Sequence, residues 1–140
     1  MHRHGSYRRK RCGGTRVERF CCPVCRLSCT VLPAGLLPYR SSRVQELEQH
    51  FDQRLAAEPV ASAVQRPRAL ERALSDFARR QQPLSDLLGQ LISPAQASLP
   101  QLWRHLRKTL GSLEVILGLL HGCFGTSLLS DYRCLKAAPG

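Results

Sequence analysis

Five of the seven cysteines in this 140-residue chain, Cys12, Cys21, Cys22, Cys25 and Cys29, crowd into eighteen residues. Within that run Cys22-Pro23-Val24-Cys25 sets two thiols two residues apart, the spacing by which one tight turn offers two ligands to a tetrahedral metal. In a reducing compartment such clustering points to ligation before disulfides, and zinc is the natural ion. A structural zinc site needs four ligands, and the chain holds no second CxxC. His4 and Cys12 are candidates to complete the sphere, with His2, Cys21 and Cys29 also near in sequence. Two other readings of the turn stay open. The thiols could be inert, or a redox dithiol, although the strand-to-helix βαβ setting that favours redox work is missing from the pattern. Cys123 and Cys134 stand apart and read as small packing residues.

Charge gathers in the same region. The net charge of the chain is +11. Residues 1 to 40 hold nine basic side chains (Arg3, Arg8, Arg9, Lys10, Arg11, Arg16, Arg19, Arg26 and Arg40) against Glu18 alone, whereas the remaining hundred hold twelve against nine acids. A field of that sign attracts polyanions, through contacts that give affinity without sequence reading. Arg8-Arg9-Lys10-Arg11 beside Tyr7 is its densest part, expected on a strand whose alternate side chains face opposite ways. Arg68, Arg72, Arg79 and Arg80, and separately Arg104, Arg107 and Lys108, make weaker basic faces that read as solvated sides of helices.

The elements that must position these groups follow from periodicity. His4 to Arg11 and Thr15 to Phe20 flank Gly13-Gly14 and predict a hairpin, with Ser28 to Leu32 as a potential third strand. Pro33, Gly35 and Pro38 mark a linker, placing a boundary near residue 40 between a basic segment (1–40) and a helical part (41–140). From there the period becomes 3.6. Ser42 with Gln45 forms a capping-box pattern before Val44, Leu47, Phe51 and Leu55, and Glu58-Pro59 stops that helix. Leu70, Ala73, Leu74, Phe77 and Ala78 give a second core-facing stripe. Leu84, Leu87, Leu88, Leu91 and Ile92 give a third after Pro83. A fourth helix, beginning near Ser93-Pro94 or at Pro100, carries Leu102, Trp103, Leu106 and Leu110. The fifth, Leu113 to His121, is apolar on nearly every side and is expected at the centre of the bundle. Aliphatic residues are plentiful and aromatics few, which favours Leu-rich helix packing. The fold class expected is mainly α: a small zinc-ribbon-like β-hairpin followed by about five short helices.

The basic start is followed by more charge and by cysteines, not by the apolar run of a secretory signal, so a cytoplasmic location is expected. Leu113 to Leu120 is too short to cross a bilayer, and no membrane role is expected. There is no GxSxG elbow and no phosphate-cradling glycine loop, and the acids are scattered over helix surfaces. His50, His105 and His121 sit singly within helices. The chain therefore reads as a non-enzyme.

Three runs carry a family likeness: Arg3-His4-Gly5-Ser6-Tyr7-Arg8-Arg9, then Arg19-Phe20-Cys21-Cys22-Pro23-Val24-Cys25, then Ser28-Cys29-Thr30-Val31-Leu32-Pro33 with Leu36-Leu37-Pro38-Tyr39-Arg40 behind it. Together they resemble the zinc-ribbon domains of bacterial transposase-like and insertion-sequence-associated proteins, over about the first forty residues. The resemblance implies that Cys22 and Cys25 are the second ligand pair and that Cys29 takes the place of an aromatic core residue. The family's first pair would fall before Met1, which implies a start site placed too late, a gene remnant or a ribbon without its metal. No acidic transposase triad accompanies it, so the implied role is an accessory or relic of a mobile element. The function expected is non-catalytic nucleic-acid binding, most naturally to DNA. The alternative is a protein-interaction module with a basic docking tail.

Overall fold

The computed structural model describes residues 1–33, 35–37, 40, 42–55, 67–89 and 98–129, the side chain of Arg11 excepted. Leu91, Ile92, Ser93-Pro94, Glu58-Pro59, Tyr39, Tyr132 and Cys134, on which several expectations rest, lie outside the described residues. The chain divides into two compact units, Met1–Glu46 and Leu47–Gly140.

The first unit is a three-stranded antiparallel sheet in the order β1 (His2–Arg9), β2 (Thr15–Cys21), β3 (Ser28–Val31). With five helices following, the described residues are mixed α and β, which corrects the expectation of a mainly α chain, while the potential third strand from Ser28 is present. The third strand exists because the cysteine turn is itself a hairpin connection. Cys22 N–H donates to Leu27 O and Arg26 N–H to Cys22 O, both at 2.9 Å, and pairing then runs from Cys21–Ser28 to Glu18–Val31.

The basic run does not stay extended. Only Arg8 and Arg9 belong to β1, whereas Lys10–Cys12 form a short 3₁₀ turn. The ladder closes at Arg9–Thr15, and Gly14 N–H donates to Arg9 O at 3.1 Å. Gly13 and Gly14, at φ 67° and 70°, thus end a five-residue connection in place of a two-residue one.

The helices are α1 (Val44–Arg54), α2 (Arg68–Arg79), α3 (Gln81–Leu88), α4 (Leu99–Leu110) and α5 (Leu113–Phe124). Their starts follow local chemistry. α1 is capped one residue later than the Ser42 pattern suggests: Arg43 N–H donates to the Glu46 carboxylate at 2.9 Å, and Ser42 is buried. α3 starts two residues before Pro83, which sits within the first turn, where a missing N–H costs nothing. α4 begins on a capping box between Ser98 and Gln101 with a proline in its first turn, and Ser112 caps α5.

In the second unit Phe51, Phe77 and Trp103 are fully or almost fully buried and form one aromatic cluster. Phe51 stacks on Phe77 at 5.4 Å between centroids and meets Trp103 edge-on at 5.3 Å. Leu47, Leu84, Leu88, Leu102 and Leu106 are buried as well. The Trp103 indole N–H donates to Asp52 at 2.9 Å. Arg107 bridges Asp52 and Glu48 at 3.0 and 3.2 Å and lies 5.8 Å over the Trp103 ring. A few aromatics, not leucine alone, organise this core.

α5 is not enclosed on all sides. It buries Leu113, Ile116 and Leu120, while Val115 is 51% exposed and Gly118, Gly122 and Cys123 are also exposed. Cys123 is therefore not the packing residue expected. Among the described residues no helix is long and apolar enough to cross a membrane.

Candidate nucleic-acid interface and cysteine turn

In an antiparallel sheet, paired residues project to the same side and alternate pairs project oppositely. Tyr7–Val17, Arg9–Thr15 and Arg19–Thr30 share one face. It holds the buried Val17 and is partly covered, because Arg9 donates to Leu37 O at 2.6 Å and to Arg40 O at 3.2 Å. Arg9 is a clamp on the following segment, and Arg40 supplies a carbonyl to it.

The opposite face carries Arg8–Arg16, Ser6–Glu18–Val31 and Arg3–Phe20–Cys29. Arg3 belongs there only because of a bulge. The register shifts between Arg3 and Gly5, leaving His4 unpaired, and Gly5 takes φ 137°, a conformation open to glycine. Strict alternation would have put Arg3 with Tyr7. Instead it reaches Glu18, with Nε to Oε2 at 2.8 Å, and Arg16 Nε reaches Glu18 Oε1 at 2.9 Å. Arg8 lies directly across from Arg16, exposed, with no acidic partner among the described residues. Like charges facing across a ladder are destabilising by a few tenths of a kcal/mol to about 1 kcal/mol. The result is an open face with two guanidinium groups on one carboxylate and a third, Arg8, across from Arg16, together with the half-buried ring of Phe20 and the exposed Val31.

Of the remaining basic candidates, Arg19, Lys10 and Arg26 do not join this cluster. Arg19 is exposed on the Val17 side, Lys10 is exposed in the 3₁₀ turn, and Arg26 is exposed in the cysteine turn. Sequence reasoning had paired the basic strand with Tyr7, which the register assigns to the other face. Phe20 is the aromatic on the arginine face, and its equal parity with Arg16 and Glu18 on β2 was the available signal.

The cysteine turn has the form of half a metal site. Cys22 is half-buried and Cys25 exposed, and neither is in a disulfide. Backbone hydrogen bonds from Cys25 and Val24, with one from the Cys25 side chain, hold the Cys22 thiol below its ordinary pKa. Arg26 follows at φ 55°, the one non-glycine described at positive φ, so the chain reverses there into β3. N–H groups aimed at a sulfur stabilise a thiolate, the form that binds metal.

The other thiols turn elsewhere. Cys21 Sγ faces the Cys22 and Arg26 carbonyl oxygens, each at 3.6 Å, and Cys29 Sγ lies 3.6 Å from Met1 Sδ. Cys29 is exposed, which corrects the core position that the family likeness implied. Cys12 cannot join Cys22 and Cys25: it is buried at the other end of β2, about 20 Å away at the rise of an extended strand. His4 is the exposed bulge residue. Among the described residues no group of three or more His, Cys, Asp or Glu is placed to hold a metal ion. The described residues thus bring two cysteines together as potential ligands and place no third donor with them. Compared with known proteins, the chain matches no family model, no curated protein and no solved structure.

Proposed function

We propose that this protein is a non-catalytic nucleic-acid-binding module whose grip is the open sheet face of Arg3, Arg8 and Arg16. The observation that carries this reading is the direct opposition of Arg8 and Arg16 on an exposed surface. A phosphate between opposed guanidinium groups turns their repulsion into two charge-assisted hydrogen bonds. Phe20, on the same face, offers a ring on which an unpaired base can stack. Glu18 spaces Arg3 and Arg16 and lowers non-specific affinity. The turn at Cys22 and Cys25 takes zinc, which fixes the end of β2 and the start of β3, and the helices form a bundle that serves as the folded body. A role as a cytoplasmic accessory or relic of a mobile element rests on the likeness of the first forty residues to transposase-associated zinc ribbons.

Fluorescence anisotropy with labelled random duplex and single-stranded DNA tests the proposal. Binding at low salt that falls steeply as salt is added is expected, because each neutralised phosphate releases counterions. No binding to either probe at low salt rules it out. One observation favours a second reading, a protein-interaction module: α5 leaves Val115 exposed beside Gly118 and Gly122. A tight complex that ignores nucleic acid would support that reading.

A further inference from the structure

We propose that the cysteine turn is one half of a zinc site whose other half is the same turn of a second copy of this chain, so that one zinc ion joins two molecules through Cys22 and Cys25 of each. The inference rests on the turn's ability to bind zinc and is independent of the nucleic-acid reading.

Three observations converge on it. The donor count comes first. The half-buried Cys22 and the exposed Cys25 are held by a shared turn, while the Cys21 thiol faces the Cys22 and Arg26 carbonyl oxygens of that turn, Cys29 lies against Met1 and Cys12 is too distant. Structural zinc is four-coordinate, and two donors leave it with two open positions. A tetrahedron contains two-fold axes, each exchanging one pair of corners with the other pair. Two identical turns related by such an axis therefore complete the sphere without distorting either, and closed two-fold dimers are the commonest assembly.

The second observation is the surface around the turn. Six large apolar residues are exposed in the described chain, and three of them, Met1, Val24 and Leu27, lie in the turn or at the strand end beside it. Val24, between the two cysteines, is 90% exposed. Apolar side chains at the tip of a metal-binding turn gain by meeting their symmetry mates, whereas in an isolated molecule each stays in water.

Charge is the third. Four thiolates around Zn²⁺ leave a net charge of −2, and Arg26, exposed one residue after Cys25, comes from both copies and offsets it.

The experiment uses the full chain, stripped with chelator, kept reduced by a phosphine and titrated with zinc sulfate. Metal content and molar mass from light scattering are read together. Saturation at half an equivalent of zinc per chain, with the mass rising from 15.7 kDa to about twice that and returning on chelation, is expected. Cobalt in place of zinc should give the visible spectrum of tetrahedral tetrathiolate coordination. Cys22→Ser and Cys25→Ser should abolish both metal uptake and the mass change, and Cys29→Ser should leave them intact. Val24→Asp keeps the ligands and should weaken dimerisation, which covers the case in which a cysteine variant unfolds the turn. One zinc per chain in a monomer overturns the shared site while sparing the zinc turn. No zinc uptake overturns both, and a dimer indifferent to zinc overturns the metal bridge.

Discussion

Glu18 sits between Arg3 and Arg16, so removing its charge should strengthen nucleic-acid binding, a sign that few neutralising substitutions share. The side chains of Arg3, Arg16 and Glu18 are 56%, 57% and 32% exposed. Ion pairs in such settings contribute about 1 kcal/mol or less, so Glu18→Gln should leave the fold intact. For duplex DNA the logarithm of affinity falls against the logarithm of salt with a slope of about 0.9 per phosphate neutralised. Each contact therefore adds a loss of about 3.5-fold for a fourfold rise in salt, and three contacts give about 40-fold. Arg8→Gln should lower the slope by about 0.9 and weaken binding at low salt. Glu18→Gln should tighten binding at low salt and steepen the slope, since two guanidinium groups are released to phosphate. Arg9→Gln is the control: it loses the bonds to the Leu37 and Arg40 carbonyls and should lower stability by about 1.5–3 kcal/mol with no change of slope. Anisotropy titrations at four salt concentrations, with thermal melts of each variant, decide the matter. An intact Glu18→Gln protein that binds no better than the parent, or an Arg8→Gln protein with the parental slope, refutes the assignment of this face.

Three further expectations follow from the geometry. Phe77→Ala removes one fully buried ring of the aromatic cluster and should cost about 3–5 kcal/mol, read by urea denaturation of the helical signal; a loss below about 1 kcal/mol would show that the cluster does not organise the core. Arg26→Gly relieves a left-handed backbone at φ 55° worth about 1 kcal/mol, so the metal-free protein should be no less stable than the parent in urea denaturation although it loses a side chain, and a loss above about 1 kcal/mol counts against the turn geometry. Cys22 has its thiol pKa lowered by the Cys25 and Val24 backbone bonds, so the stabilisation they give is full above the ordinary thiol value and is lost as pH falls through the lowered one. In metal-free protein, iodoacetamide should modify Cys22 at lower pH than in the urea-unfolded chain, as peptide mass spectrometry reports; superimposable pH profiles would contradict this.

Helix faces were legible because burial repeats with the helical period. Leu47, Phe51, Leu55, Ala73, Phe77, Leu84, Leu88, Leu102, Trp103 and Leu106 all come from stripes visible in the sequence, and all are buried. What periodicity could not supply was the relation between stripes. The segment Leu113 to Leu120 is apolar all round, yet Val115 faces water, because composition does not say how many neighbours a helix has. Pro83 looked like a terminus and proves to be a first-turn residue, since the preceding glutamines already have helical geometry. The start of α1 moved from Ser42 to Arg43 because the capping carboxylate is Glu46, and the Gln45 pattern lay one residue out of step.

The candidate interface was legible in charge and illegible in geometry, for a reason that lies in one residue. Strand parity sorts side chains into two faces, and by parity alone Arg3 joins Tyr7 and Arg9 on the covered face, leaving Arg8 and Arg16 without a third partner. The extra residue at His4, tolerated because Gly5 can take φ 137°, reverses the parity of everything before it. Arg3 thereby enters the open face and finds Glu18. A basic patch in a sequence states how much charge is present, but the bulge decides how much of it lies on a single face. The same holds for the cysteines: their count suggested a site within one chain, whereas strand length separates Cys12 from the turn and leaves Cys22 and Cys25 as a pair.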